Sequence, residues 1–123
     1  MIVGVVNQNL EPAVPLVVRT ADGRDSEIEA VIDTGFSGFL TLPSTLVAAL
    51  QLTWIGREDA MLGDGHTYPF DVYSGTVVWN GQPRNVEVNA TDTVPLIGMA
   101  MIFGHELRIA AVNGGIVTIE SLP

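Results

Sequence analysis

Apolar and polar positions alternate with period two over several short stretches of this chain, and that pattern predicts a mostly-β protein. Segments 14–20, 27–32, 68–79, 85–89, 107–112 and 116–120 are rich in Val, Ile, Thr and aromatic residues, the composition favoured on a pleated, half-buried surface. In the second of them Ile28, Ala30 and Ile32 share one face while Glu27 and Glu29 begin the other. Val31 then makes Ala30-Val31-Ile32 apolar on both faces, so the chain enters the interior just before Asp33. Turn signals punctuate the strands: Asp22-Gly23, Asp64-Gly65, Asn80-Gly81 and Asn113-Gly114-Gly115 each favour a tight hairpin turn.

Helical spacing is confined to two places. Pro43 is acceptable in a first turn, and Leu46, Val47 and Leu50 follow on one face. Met99, Ile102 and Phe103 predict a further turn or two between positions 99 and 106, with Met99 and Met101 as core filler and His105-Glu106 closing the helix. The pattern of strand, apolar run, glycine and short helix occurs around 32–50 and, more weakly, again around 94–103. No linker, low-complexity tract or fixed-period repeat interrupts the chain.

Composition narrows the functional classes. The 123 residues fit one domain, 1–123, and 47% hydrophobic with 15% charged residues is the composition of a packed core. Fourteen acidic residues against five basic ones give a net charge of −9, which repels phosphate backbones and anionic lipid, so neither nucleic acid nor membrane is an expected partner. The absence of cysteine excludes disulfides and thiolate metal sites. The carboxylates, among them Glu58, Asp59, Asp64 and Asp71, show no metal-ligand spacing, so no metal or cofactor is expected. The start of the chain lacks a basic region and its apolar stretch is short for a signal peptide. The apolar segment 95–104 is about half of a membrane span. A soluble, cytoplasmic protein is the expectation.

The candidate chemistry sits at Asp33-Thr34-Gly35, which follows the apolar run, precedes a loop of small residues and occurs once. By composition alone such a triplet arises in roughly a few per cent of chains this long, and a buried strand ending in a turn stabilised by Asp and Gly explains it equally well. Context favours chemistry. The triplet is followed by a Gly-rich hairpin, Met61-Leu62-Gly63-Asp64-Gly65-His66, and then by Pro95-Leu96-Ile97-Gly98 ahead of a short helical segment. His66 and His105, the only histidines, have no zinc-hydrolase spacing. Neither is there a serine-hydrolase elbow, and Ser37 and Ser44 read as loop and helix-start residues.

These three features, in this order, resemble the retropepsin-like aspartic proteases, in particular the small single-domain prokaryotic kind related to retroviral proteases. The resemblance covers residues 14–109 and, more loosely, the terminal strands. It implies a closed β-barrel with one or two short helices, acting as a homodimer on peptide or protein substrates without a cofactor. Asp33 of each subunit would share one water, since two carboxylates about 3 Å apart retain one proton between them. The ionised member then deprotonates the water and the other protonates the developing oxyanion. By the same resemblance Thr34 would bond across the dimer axis, and Gly35 would donate its N–H toward a carboxylate oxygen. Met61, Leu62, Gly63, Asp64, Gly65 and His66 would form the substrate-covering flap, with Leu96, Ile97 and Gly98 packing beneath the catalytic loop. The terminal segments 2–6 and 116–119 are β-prone on their own pattern and could build the dimer sheet.

Two departures set expectations of their own. Phe36 follows Gly35, where pepsin-like enzymes carry a hydroxyl residue and retroviral ones Ala. That predicts a pH optimum less acidic than pepsin's and a bulky group at the site mouth. Asp64 stands at the flap tip, where two carboxylates near the axis would repel each other. An alternative from another class is a non-catalytic retropepsin-like dimer that holds extended peptides without cutting them. A third is an unrelated small β-barrel in which Asp33 is a structural turn residue.

Overall fold

The structure is a computed structural model that describes residues 1–61 and 63–123. Ten strands and two short helices follow in order: β1 (Ile2–Val6), β2 (Pro12–Arg19), β3 (Asp25–Ile32), β4 (Leu40–Leu42), α1 (Ser44–Ala49), β5 (Thr53–Met61), β6 (Thr67–Trp79), β7 (Gln82–Ala90), β8 (Leu96–Ile97), α2 (Met99–Ile102), β9 (His105–Ile109) and β10 (Ile116–Ser121). The mostly-β expectation holds. All four turn signals join antiparallel neighbours: β2 to β3, β5 to β6, β6 to β7 and β9 to β10. At Asn80-Gly81 both central residues are left-handed, with φ of 52° and 76°. Such a turn matches the right-handed twist of paired strands, and Asn and Gly are the residues that tolerate it.

The sheet runs β5-β6-β7-β4-β8-β3-β2-β1-β10-β9, and an additional pairing of β2 with β6 closes six of these strands into a ring. Val18 and Arg19 of β2 face Val77 and Thr76 of β6 at the closure. The core fills the ring: Val14, Leu16, Val18, Leu40, Leu42, Val77, Val88 and Ile97 are among its fully or almost fully buried side chains. Strand alternation places them, as Leu16, Val18, Ala30 and Ile32 do by pointing inward from one hairpin.

The terminal strands pair with each other. β1 pairs with β10 inside the same chain, Ile2 opposite Ile119 and Val5 opposite Ile116. β10 is flanked on its other side by β9, and β1 by β2. Each terminal strand thus has two neighbours within the chain, and the sheet's outer strands are β5 and β9.

Both helices form. In α1, which begins one residue after Pro43, Val47 is buried, as is Leu50 at its end. The second is a single turn in which Met101 and Ile102 are buried, whereas Met99 is 43% and Phe103 85% exposed. Met99 is thus not core filler: the helix stops at Ile102, and Phe103 leaves with extended ψ of 131°. His105 does close the helix, its Nδ1 lying 3.1 Å from the carbonyl oxygens of Ile102 and Phe103. No helix among the described residues is long and apolar enough to cross a membrane.

Candidate functional site

Asp33 is the first residue beyond β3, and the chain turns sharply there. Its N–H donates to the Ile97 carbonyl at 2.9 Å, and its own carbonyl accepts the Phe36 N–H at 3.1 Å. The Gly35 N–H donates to Asp33 Oδ1 at 3.0 Å, which fixes the carboxylate over its own turn. Asp33 is half-buried, with Thr34 and Gly35 exposed beside it.

Leu96, Ile97 and Gly98 lie beneath this turn. β8 runs parallel to the end of β3, Val31 opposite Leu96 and Ile32 opposite Ile97, and antiparallel to β4, Leu40 opposite Ile97. Ile97 is fully buried between them. Gly98 donates its N–H to Phe39, Met99 to Phe36 and Ala100 to Gly38, at 3.0, 2.8 and 3.1 Å. The free amides at the start of α2 are thereby satisfied by carbonyls of the loop after Asp33, so helix and loop form one hydrogen-bonded unit. Phe36 fits this unit because two glycines make room: its ring atoms stand 2.6 Å from where a Cβ on Gly38 or Gly98 would be. The small residues around the triplet are the counterpart of the bulky one within it.

A groove of about 420 Å³ opens beside Asp33 and Gly35. Its lining is mixed: Phe36, Ala60, Phe70 and Leu96 are apolar, and Thr41, Asn89, Thr91 and Thr93 are polar. Ala60, Phe70 and Thr91 also line a second cavity of about 620 Å³, with Tyr68, Pro69, Asp71 and Asp92, so the two spaces adjoin under the β5–β6 hairpin. Cross-strand pairing puts Glu58 with Phe70 and Ala60 with Tyr68 on one side of that hairpin, the side whose Ala60 and Phe70 meet the groove.

The arms and the tip of the β5–β6 hairpin differ in their relation to the groove. The arms of the hairpin reach the groove, through Ala60 and Phe70, two residues the sequence reading did not select. The tip residues Met61, Gly63, Asp64, Gly65 and His66 are exposed and outside the groove lining, and Leu62 lies outside the described residues. At the tip Asp64 is engaged locally: Oδ1 accepts the His66 N–H at 2.9 Å and Oδ2 the Tyr68 hydroxyl at 2.8 Å, with His66 Nδ1 3.4 Å away. The bond from the His66 amide, then that from Tyr68, holds the Asp64 carboxyl below its ordinary range, and the same contact pushes the Tyr68 hydroxyl above its own.

Thr41, Asn89, Thr91 and Thr93 also escaped the sequence reading. Thr41 sits on a three-residue strand whose parallel pairing with β7 sets it opposite Asn89, a juxtaposition that no local pattern announces. Among the described residues no group of three His, Asp or Glu is placed to hold a metal ion. No family model matches the chain, and no curated protein matches it in sequence.

Proposed function

We propose that the chain is an aspartic endopeptidase of the retropepsin-like kind, with that family's closed β-barrel, hydrolysing peptide bonds as a homodimer through Asp33 of each subunit. The observation that carries the reading is the Asp33 turn: a carboxylate pinned by the Gly35 N–H at 3.0 Å in the lining of a groove to which a β-hairpin contributes Ala60 and Phe70. Thr34 and Gly35 are exposed next to it, free to meet the same loop of a second copy about a two-fold axis.

In such a dimer the two carboxylates hold one proton and one water. The ionised Asp33 takes a proton from the water, whose oxygen bonds to the peptide carbonyl carbon, while the protonated Asp33 gives its proton to the carbonyl oxygen. The resulting tetrahedral species collapses as the leaving nitrogen takes a proton from the dyad and the C–N bond breaks. The two apparent pKa values belong to the pair, not to either subunit. Phe36, occupying the position of a hydroxyl residue in pepsin-like enzymes, removes one stabilising donor from the ionised form, and the optimum is expected at less acidic pH.

The test is Asp33→Asn. Asn Oδ1 can still accept the Gly35 N–H, so the turn and the melting temperature should be kept while cleavage of a mixed peptide library falls by at least about 100-fold. Unchanged cleavage would sink the mechanism. Lost stability would favour a structural turn, and retained peptide binding without any wild-type cleavage would favour the binding module.

A further inference from the structure

Four of the five arginines lie beside a carboxylate: Arg19 with Asp25, Arg24 with Asp22, Arg57 with Asp71 and Arg108 with Glu106. Arg84 is the exception among the described residues, although the chain carries fourteen acidic side chains. Its guanidinium sits 5.4 Å from the centre of the Phe39 ring, and Nη1 donates to the Met101 carbonyl at 3.2 Å, with Met101 Sδ 3.8 Å away. The side chain starts on β7 opposite the fully buried Val77, so it is anchored in the ring of strands. Its two partners are the two halves of the unit beneath Asp33: Met101 belongs to α2, and Phe39 to the loop whose carbonyls accept the first amides of that helix.

Resting on the endopeptidase reading, we infer that Arg84 is a positioning residue for the reaction: it clamps α2 onto the loop that follows Asp33 and thereby sets where the Asp33 carboxylate stands. A single helical turn does not hold itself together, because too few internal bonds offset the cost of ordering it. Its place is decided at its ends. At the N-terminal end Gly98, Met99 and Ala100 donate to Phe39, Phe36 and Gly38; at the C-terminal end the Arg84 cation satisfies a carbonyl left without a helical partner and complements the partial negative charge there. The same cation lies over the Phe39 ring, attracted by the negative aromatic face. Asp33 is coupled directly to this unit: its N–H donates to the Ile97 carbonyl, just ahead of Gly98, and its carbonyl accepts the N–H of Phe36, whose own carbonyl accepts that of Met99. Loosening α2 therefore releases the turn that carries the carboxylate, and a displacement of about 1 Å at a reacting group costs up to about 100-fold in rate.

Arg84→Met keeps an unbranched stem and removes the charge and the donors, and Arg24→Met, at an exposed ion pair, is the control. With each variant folded at the assay temperature, Arg84→Met is expected to lower kcat at least about tenfold while KM stays within about twofold. Arg84→Lys should recover most of the loss, because an ammonium also donates to the carbonyl and sits over the ring, and Arg24→Met should change neither constant. In the NMR spectrum the Gly35 amide, bonded to Asp33 Oδ1, should shift in Arg84→Met and return in Arg84→Lys, while the His66 amide at the hairpin tip stays in place. An unmoved Gly35 resonance overturns the inference, as does a loss confined to KM, a failure of lysine to restore kcat, or an equal effect of Arg24→Met. If Arg84→Met does not fold, the wild-type protein decides: the Arg84 guanidinium protons should exchange with solvent at least about tenfold more slowly than those of Arg24, the protection of about one charge-assisted hydrogen bond, and equal exchange overturns the clamp. If the wild-type protein cuts no peptide, the endopeptidase reading fails, and the Gly35 resonance alone then decides whether Arg84 holds the Asp33 turn.

Discussion

Gly98 stands where any side chain would collide with Gly38: an added Cβ would lie 2.2 Å from the Gly38 carbonyl oxygen and 2.8 Å from that of Phe36. Both neighbours are backbone, and both belong to the loop that follows Asp33. The loop can accommodate a methyl group only by giving up its bonds to Met99 and Ala100.

Gly98→Ala is therefore expected to destabilise the fold by about 3 kcal/mol or more, at the upper end of overpacking costs, and to move the Asp33 carboxylate away from its position over the turn. Gly56→Ala provides the contrast, because a Cβ there meets nothing within 4 Å, and it should stay within about 0.5 kcal/mol of wild type. Urea unfolding of the two variants checks both. Equal stability of the pair would mean that the loop and α2 are not the rigid unit described.

Much of this architecture is legible in the sequence because its strands alternate locally and its turns carry left-handed residues. Residues 27–32 read correctly since Ile28, Ala30 and Ile32 declare one face. What escaped was long-range. β5 carries Arg57, Glu58 and Asp59 and is exposed along most of its length; it is a strand because β6 pairs with it over Thr53 to Met61, a stabilisation that its own pattern does not encode. β4 and β8 are too short for periodicity and are defined by neighbours from distant parts of the chain. The site divides the same way. Asp33, Leu96, Ile97 and Gly98 were legible from motif and order, but the polar part of the groove lining draws on a parallel pairing between Thr41 and Asn89. The terminal strands were legible as β, but their pairing with each other was not, since β-propensity says nothing of which strand becomes the neighbour.

A second relationship ties the chain's end to its core. The buried Trp79 donates its Nε1–H to His105 Nε2 at 3.2 Å, with the rings edge-on at 5.7 Å. Because Nε2 accepts, Nδ1 must carry the proton, which it directs to the Ile102 and Phe103 carbonyls. His105→Ala leaves the indole N–H without an acceptor and should cost about 1–3 kcal/mol. The ¹⁵N shifts of His105 are expected to report the Nδ1–H tautomer in the native protein, and the Nε2–H form would contradict the assignment.

The hairpin tip makes a pH prediction. The folded carboxyl of Asp64 is depressed by the His66 amide and the Tyr68 hydroxyl, so its contribution to local order is complete above the unfolded value, about 3.9 for Asp. It is lost only as pH falls through the lower folded value. In an NMR titration the side-chain carboxyl ¹³C resonance of Asp64 should show a midpoint below the ordinary carboxylate value. Tyr68→Phe removes one of the two bonds, and the midpoint should shift upward toward the ordinary value. A midpoint indifferent to this substitution would show that the Tyr68 contact does not persist in solution. Asp64 is thus braced by bonds within its own hairpin, and any repulsion between the tips of two subunits would act against a turn already held.

The last prediction separates a shared active site from a self-sufficient one. Asp33→Asn keeps the acceptor for the Gly35 N–H, so the variant should fold and exchange subunits with the wild-type protein. Each mixed dimer then holds a single Asp33 carboxylate and lacks the acid–base pair of the proposed reaction. With random exchange, an equal amount of variant should lower the activity of a fixed amount of wild-type protein to roughly half, and a ninefold excess to roughly a tenth. The loss should appear on the timescale of subunit exchange and vanish if the proteins are mixed only at the moment of assay. If activity stays constant at every ratio after full exchange, verified by mass-tagged subunits, each chain would be completing its chemistry alone and the paired-Asp33 mechanism would be wrong.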